Sequence, residues 1–543
     1  MVLRKASTTQ ISWGLNTRIR RAIIIILLQG LVTYQILRSW TTDPSAKIIY
    51  EIGDQVYLAN VSRLPRIQFD FSSIEETNEE KAIRIKRQES VRNGFIHAWN
   101  GYTKYAWGHD ELKPVSNESD NSFNGWGATI VDSLDTMWIM DLKDEFNRSR
   151  KFVSEVDFSV SSYSVNVFET TIRYLGGLLS AFELSKDQIF LEKAHELGVS
   201  LLGSFNSPFG LPYNDITLLE EGSFPETSSS ALLARIGSLY LEFTKLAQLT
   251  DDSDFFFLVN NITNFIENAN ITIPGLYPIG ISYETGEFFS DYISFGANGD
   301  SFYEYLIKEY ILVGGALDQY RRMYIQSVES MHQYMIKEFS IKERPNMLFL
   351  GELYNNSFVG KMDHLVCFIP GMLAIGSKIL DRPGDLETAK RLAETCYWLY
   401  EDTETGIGAE VNMLNLIESS ETTDENEIFS DKILRTDKRY LLRPETIESL
   451  FVLYRVTGDK EYQEKGWKIW QAIDKWCKTP TAYSGLYDVT STERPHNDNM
   501  ESFFLAETLK YLYLLFSSPT HISLDTYVFN TEAHPLLRMA KSY

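Results

Sequence analysis

The sequence predicts an all-α body, and three observations carry that reading. Segments with apolar residues three and four positions apart recur from about Ile83 onward, clusters of turn residues separate them, and no strand–helix alternation interrupts the rhythm. The 543 residues, 44% hydrophobic and 13% aromatic, suffice for a large buried core. No phosphate-binding glycine loop and no zinc-spaced Cys/His cluster is present, which argues against nucleotide and zinc enzymes.

Residues 1–21 are basic and are expected to form a cytosolic tail. Residues 22–38 come next as a signal-anchor transmembrane helix: AIIIILLQGLVTYQIL, from Ala22 to Leu37, is short for a span, but Arg21 and Arg38 can extend it by snorkelling. No small-x-small cleavage pattern comes after it, so an uncleaved anchor is expected in preference to a signal peptide. The basic N-terminal flank turns everything after it toward the lumen, and the short span suits the thin membranes of the early secretory pathway. Six basic residues and no acid give residues 1–42 a charge of +6, so residues 43–543 carry −29 of the net −23. That acidic body offers no phosphate-neutralising face, which excludes nucleic acid as a partner. Acceptor tripeptides for N-glycosylation at Asn60, Asn117, Asn147, Asn261, Asn270 and Asn355 agree with a lumenal body. Three cysteines there suggest one disulfide and a spare thiol, with the pairing open on spacing alone.

Residues 39–82 are polar, end in SSIEETNEE and read as a lumenal stem before the body at 83–543. Helices are expected over Arg92 to Trp107, Thr171 to Leu184, Ser228 to Leu249, Ser301 to Val313, Asp318 to Phe339, Leu386 to Tyr400, Glu445 to Thr457, Lys460 to Trp476 and Ser502 to Phe516. The stretch from Leu524 to Pro535 is β-prone and could form a hairpin whose position at the end of the chain invites a plugging role.

Four of these apolar runs contain acids: VFETTIR around Glu169, DSFYEY with Asp300 and Glu304, RPETIE with Glu445 and Glu448, and ESFFLAE ending at Glu507. Buried ionised groups are tolerated only when paired, hydrogen-bonded or near a metal, so the four runs point to one shared acidic cavity. Glu169 and Arg173 lie four apart on a helix face, as do Asp300 and Glu304 behind the flexible Gly296-Ala297-Asn298-Gly299; a surface ion pair and a helix cap are the plain alternatives. Glu445 comes after Pro444, where a helix dipole favours negative charge. Phe503 one turn before Glu507 suits a sugar, whose C–H face packs on a ring, although core packing is the commoner use of a phenylalanine. His364, Asp132, Asp135 and Glu410 are ambiguous between site and core. An acid-rich, sulfur-poor cavity suits a hard cation, Ca2+ above all, and paired carboxylates supply the acid and base of glycoside hydrolysis.

Together the strings GATIVDSLDTMWIM (127–140), VFETTIRYLGGLLSAFEL (167–184), GDSFYEYLIK (299–308), KMDHLVCFIPGMLAIG (361–376), LLRPETIESLFVLYRVTGD (441–459), MESFFLAETLKYLYLLF (500–516) and VFNTEAHPL (528–536) resemble the class I α1,2-mannosidases, glycoside hydrolase family forty-seven, over residues 85 to 540. The resemblance implies an (αα)7 barrel, a toroid plugged by the C-terminal β-hairpin. It implies Glu169 as the acid acting through a water, Glu445 as the base, and Asp300 and Glu410 as further catalytic-site acids. Thr531 would hold Ca2+, with Glu304, Glu448, Glu507 and Glu532 positioning its waters. Asp135, Arg173, His364, Glu448, Phe503, Glu507 and Glu532 would contact substrate, and Cys367 would pair with Cys396.

The implied activity is Ca2+-dependent, inverting exo-trimming of terminal α-1,2-mannose from high-mannose N-glycans, Man9GlcNAc2 to Man8GlcNAc2, by a monomeric catalytic domain on a type II anchor in the endoplasmic reticulum membrane. Reticulum-type members commonly carry Arg two residues before the catalytic Asp, where this chain has Asn298. That departure keeps a Golgi-type enzyme with broader trimming as an alternative, and a mannose-binding, lectin-like degradation factor of the same fold is the rival from another class.

Overall fold

The helices fall into two kinds, and the difference in their side chains determines where each sits. Helices such as Asp300–Leu312, Ile369–Ile379, Glu445–Thr457 and Leu509–Leu515 are buried on almost every side. Helices such as Lys143–Glu155, Ser253–Glu267 and Glu461–Trp476 bury one stripe and present a polar face. A helix apolar all round must be surrounded by protein, so the first kind builds an inner layer and the second an outer one. The computed structural model describes residues 49–52, 55–58 and 64–538, apart from 227, 342–343, 415–432 and 494.

Among the described residues the inner layer runs through Ala128–Asp132 with Leu134–Ile139, then the helical stretch 167–185, Tyr240–Thr250, Asp300–Leu312, Ile369–Ile379, Glu445–Thr457 and the stretch 504–515. Each packs on the next, and the last packs back on the first, which closes a ring. Seven outer helices alternate with them along the chain: Asn78–Tyr105, Lys143–Glu155, Gln188–Leu201, Ser253–Glu267, Asp318–Tyr334, Pro383–Glu401 and Glu461–Trp476. The architecture is a mostly helical α-barrel, as expected, but the loops add two- and three-stranded antiparallel sheets, among them 361–363 with 411–414 and 433–437. The purely α expectation missed these because each strand is only a few residues long and lies in a connection.

The C-terminal hairpin pairs Tyr527–Phe529 with Pro535–Leu537, Phe529 facing Pro535. It enters the ring. Asn530 Nδ2 donates to Ile172 O at 2.9 Å and Glu242 Oε1 at 2.7 Å, Thr531 N to Tyr305 Oη at 3.1 Å, and Lys510 Nζ to Ala533 O at 2.7 Å. Phe529 packs on Phe451 and Tyr511, and a cavity of about 20 Å³ separates Tyr527, Val528 and Phe529 from Glu304, Lys308 and Glu448. One turn of chain therefore contacts inner helices from every side of the ring.

The body begins before residue 83. The main helix starts at Asn78, with Thr77 and Glu80 forming a reciprocal cap, and upstream of it Ile67 and Gln68 N–H groups donate to Asp525 while Phe69 N donates to Arg455 O. The stretch expected as the end of the stem is thus docked, because its polar sequence hides the buried pair Ile67 and Gln68. The described residues from 64 to 538 belong to one compact unit, and the antiparallel strand pair Ile49–Ile52 with Gln55–Leu58 belongs to another. The expected tail at 1–21 and anchor at 22–38 lie outside the described residues. Among the described residues no helix is long and apolar enough to cross a membrane.

Cys367 and Cys396 form a disulfide, and Cys477 is buried with its thiol pushed up by desolvation. Closing a loop over a separation of 29 residues stabilises by about 3.6 kcal/mol in chain-entropy terms. Replacing both cysteines, Cys367→Ala with Cys396→Ala, is expected to lower the urea midpoint and steepen the slope, because the uncross-linked unfolded chain is less compact; an unmoved midpoint would show that packing alone restrains this loop.

Candidate active site

Acids from four inner helices converge on the ring axis above the hairpin turn. Asn166 caps the start of the 167–185 stretch by accepting from Glu169 N at 3.0 Å, which sets Glu169 in the first helical turn. A π-helical segment then runs over Thr170–Leu175. Such wide turns recur at functional sites, since the extra residue re-aims the side chains beyond it. Arg173 Nε donates to Glu169 Oε2 at 2.8 Å, while its Nη1 reaches Ser502 Oγ at 3.1 Å, Asp132 at 3.6 Å and Glu532 in a short ion pair. Burial would lower the guanidinium pKa, but Glu532, Glu169 and Asp132 outweigh it and hold the charge. The Glu169 side chain remains 30% exposed, open to a ligand.

Glu445 starts the helix Glu445–Thr457 behind Pro444. His364 Nδ1 lies 2.6 Å from its Oε2, and the other ring nitrogen lies 2.5 Å from Tyr400 Oη. Burial pushes the Glu445 pKa up, but the hydrogen bond and charge of His364, then Arg443, bring it below the usual carboxylate range. Its side chain keeps 12% exposure. The approach to it is strained: Leu442, fully buried, has φ +63°. Such a conformation costs about 1–3 kcal/mol in a non-glycine residue and persists only where the surroundings over-determine it. Here Thr508 Oγ1 donates to Leu442 O at 2.6 Å, and Glu410 accepts from Leu441 N at 3.0 Å and Arg443 Nε at 2.8 Å.

Asp300 is the first residue of the helix Asp300–Leu312, and its Oδ1 accepts from Ser301 N at 2.9 Å, so it satisfies one helix-start N–H much as a cap would. Burial, then the charges of Asp363, Glu304 and Glu445, push it up to about 8, so it can hold a proton at neutral pH. The glycines before it serve close approach, contrary to the flexibility expected of them. A Cβ on Gly296 would lie 2.3 Å from the Asp363 carboxylate and one on Gly299 2.0 Å from Ser294 O. Asn298, exposed at φ +72°, takes a left-handed conformation that asparagine tolerates.

Lower in the cavity, Lys308 pairs with Glu304 and lies 3.7 Å from Glu448, which also accepts from Tyr511 Oη at 3.4 Å. Burial, then Glu445 and Glu448, raises Glu507 well above the ordinary range. Lys308 faces Glu304, Glu448 and Glu507 together, and Arg173 also acts on Glu507; such an acid-rich, oxygen-only set suits a hard cation. Among the described residues no three acidic, histidine or cysteine side chains close into a direct metal cage. A cation here would be held by Thr531 oxygens and by carboxylates acting through water.

The site's chemistry is that of two partly exposed carboxylates, one clamped by arginine and one by histidine, with Asp300 pushed up to about 8 by burial and neighbouring acids. Residues 94–538 match the sequence profile of Glycosyl hydrolase family 47. The chain belongs to that family. It is 43% identical over 455 residues to the human endoplasmic reticulum mannosyl-oligosaccharide 1,2-alpha-mannosidase, a match covering 83% of this chain and 64%, under two thirds, of that protein. It is 41% identical over 476 residues to the Arabidopsis thaliana mannosyl-oligosaccharide 1,2-alpha-mannosidase MNS1, covering 85% and 80%. The solved alpha-1,2-mannosidase from Trichoderma reesei superposes with a TM-score of 0.78 at 32% identity, covering 84% of this chain and 99% of that one.

Within this family 47 site, three of the expected residues are enclosed by protein partners. Asp135, expected against substrate, is 0% exposed, with Lys510, His534 and Ser180 on its oxygens; it locks the hairpin to the barrel. Glu410, expected among the catalytic acids, has both oxygens committed to protein donors and positions the Leu441–Arg443 segment. His364, expected to line the sugar pocket, is 4% exposed and holds Glu445. Phe503 is buried between the guanidinium groups of Arg173 and Arg443, each 5.6 Å from its ring, and a second π-helical turn, Phe504–Thr508, widens its spacing to Glu507. Sequence reading passes over Glu242, Tyr305, Lys308, Lys510, Asn530 and His534. The two lysines are visible as cations inside apolar runs, YLIKEYIL and AETLKYLYLL; the others carry no local signal.

Proposed function

We propose that this family 47 chain is an exo-α-1,2-mannosidase that trims terminal α-1,2-linked mannose from high-mannose N-glycans, Man9GlcNAc2 to Man8GlcNAc2, with inversion. One observation carries the reading beyond the family: two partly exposed carboxylates at the cavity are each held by a basic partner, Glu169 by Arg173 and Glu445 by His364.

In this reading Glu445, held ionised by His364, takes a proton from a water as its oxygen attacks the anomeric carbon. The bond to the leaving oxygen breaks, and Glu169 supplies that oxygen's proton through a second water. Arg173 engages one Glu169 oxygen and leaves the other available. Inversion needs the two carboxyl groups far enough apart for a water at the sugar's opposite face. Ca2+ would sit on the Thr531 hydroxyl and carbonyl oxygens, with Glu304, Glu448, Glu507 and Glu532 on its waters, and supplies charge stabilisation and orientation of sugar hydroxyls when bound. Arg173, His364, Phe503 and Glu507 then bound the terminal-mannose pocket.

The basic start of the chain supports a cytosolic tail at 1–21, an anchor at 22–38 and a lumenal body, in the endoplasmic reticulum membrane. Asn298 favours a second reading, a Golgi-type enzyme: a short exposed amide stands where a long cation would reach the glycan branches. Digestion of a Man9 glycan with and without chelator tests both. The expected result is one Man8 isomer, lost with chelator and restored by Ca2+. Several successive products would favour the Golgi type, and no release at any Ca2+ concentration would replace the hydrolase with a mannose-binding protein.

A further inference from the structure

A groove of about 790 Å³ lies on the outer surface, remote in character from the acidic cavity, between the helix Ser253–Glu267 and the loop 285–288. Its floor is aromatic. Phe209 is 40% exposed, its ring centroid 5.9 Å from that of Phe265, and Gly286, at φ +71°, crosses it so closely that a Cβ would lie 3.0 Å from the Phe209 ring. Its wall is amide: Asn261 and Asn264 lie on one helix face and Asn268 caps the helix end, with Asn264 Oδ1 accepting from Gln319 Nε2 and Asn268 Nδ2 donating to Asn264 O, which leaves Asn261 and the exposed Asn270 as the freest amides. Exposed aromatic faces rimmed by amides suit a sugar, whose C–H face packs on rings while its hydroxyls take amide partners.

Two of those asparagines, Asn261 and Asn270, begin acceptor tripeptides. They differ in setting. Asn261 is inside a helix, and its Thr263 is fully buried with Oγ1 bonded to Val259 O at 3.3 Å and Tyr320 Oη at 3.0 Å. Asn270 lies in irregular chain past the helix, exposed along with its Thr272. A transferase needs the tripeptide in an extended, reachable form, which the second offers.

We propose that an N-linked glycan on Asn270 seats in this groove, its inner N-acetylglucosamine against the Phe209–Phe265 pair. The occupant is thereby attached to the groove's own rim, so the aromatic floor is covered without a partner protein and at high effective concentration. The proposal rests on the lumenal placement of the body.

The full chain, made in a eukaryotic secretory host, tests it by glycopeptide mass spectrometry and thermal unfolding. Asn270 is expected to carry glycan. Trimming to a single N-acetylglucosamine should leave Tm unchanged, whereas complete enzymatic removal should lower it by about 1–2 °C. Phe209→Ala should abolish that difference, and Phe209→Leu, which keeps apolar bulk without a π face, should do the same if the alanine variant does not fold. An empty Asn270 with Asn117 or Asn355 occupied overturns the proposal and spares the lumenal reading. No occupied site overturns both. An occupied Asn270 whose removal shifts Tm equally in wild type and both Phe209 variants overturns the stacking.

Discussion

Glu445→Gln is expected to lower kcat by about 10³-fold while a mannose-like inhibitor still binds within a few-fold of wild-type affinity. The amide keeps the size of the side chain and can still meet His364 Nδ1, now 2.6 Å from the carboxylate, so the cavity stays formed. What it cannot do is accept a proton from water. The same geometry sets the pH profile. Since His364 and Arg443 together outweigh burial and hold Glu445 below the usual carboxylate range, activity should persist as pH falls through the ordinary glutamate pKa of about 4.3 and be lost only below it. A His364→Ala variant should shift that acid limb upward, because burial would then be opposed mainly by Arg443. Retention of full turnover in Glu445→Gln would remove it as the base.

His534→Ala should carry the largest stability effect, a loss of about 3–5 kcal/mol in urea unfolding. The ring lies between Asp135 at 2.8 Å and Asp132 at 3.1 Å, all three fully buried, and Lys510 adds a contact to Asp135 at 2.8 Å. Removing the imidazole leaves two carboxylates facing each other in protein interior, and Asp132 is also tied through Arg173 to Glu169. The histidine and the aspartate respond to pH with opposite signs. Burial would lower His534, but Asp135 and Asp132 raise it, so its contribution is complete below the unfolded pKa of about 6.5 and fades as pH rises through the raised folded value. Burial would raise Asp135, but Lys510 and His534 lower it to about 2, so its contribution is present above about pH 4 and disappears as pH falls toward 2. The wild-type stability profile should therefore decline on both sides of a neutral-to-acid plateau, and His534→Ala should flatten the alkaline decline. A variant within 1 kcal/mol of wild type would show that the hairpin is held by packing alone.

Much of the helical layer is legible from periodicity. The runs at 301–313, 445–457 and 460–476 match helices Asp300–Leu312, Glu445–Thr457 and Glu461–Trp476 closely because their apolar residues recur at helical spacing. Lys143–Glu155 escapes notice because an outer helix with only Phe146, Ser149 and Val153 buried reads as a polar loop, and Ile369–Ile379 because Pro370 at its start looks like a break. The helix expected over Asp318 to Phe339 is shorter in the structure: it ends at Tyr334 and a strand takes over at Ile336, where β-sheet pairing with Arg344–Leu350 overrides local propensity.

Carboxylates inside apolar runs must share a polar cavity, so the enclosure of acids is legible in the sequence, and its motif strings resemble the family. Tertiary structure decided which acids remain reachable. Asp135 and Asp300 look equivalent as acids beside apolar helices, yet one is sealed against a histidine 399 residues away and the other stands at the cavity with its pKa pushed up to about 8. The physical reason is that a carboxylate's role depends on the cations and donors around it. In a closed ring those come from distant parts of the chain, delivered to Asp135 by the hairpin at the far end.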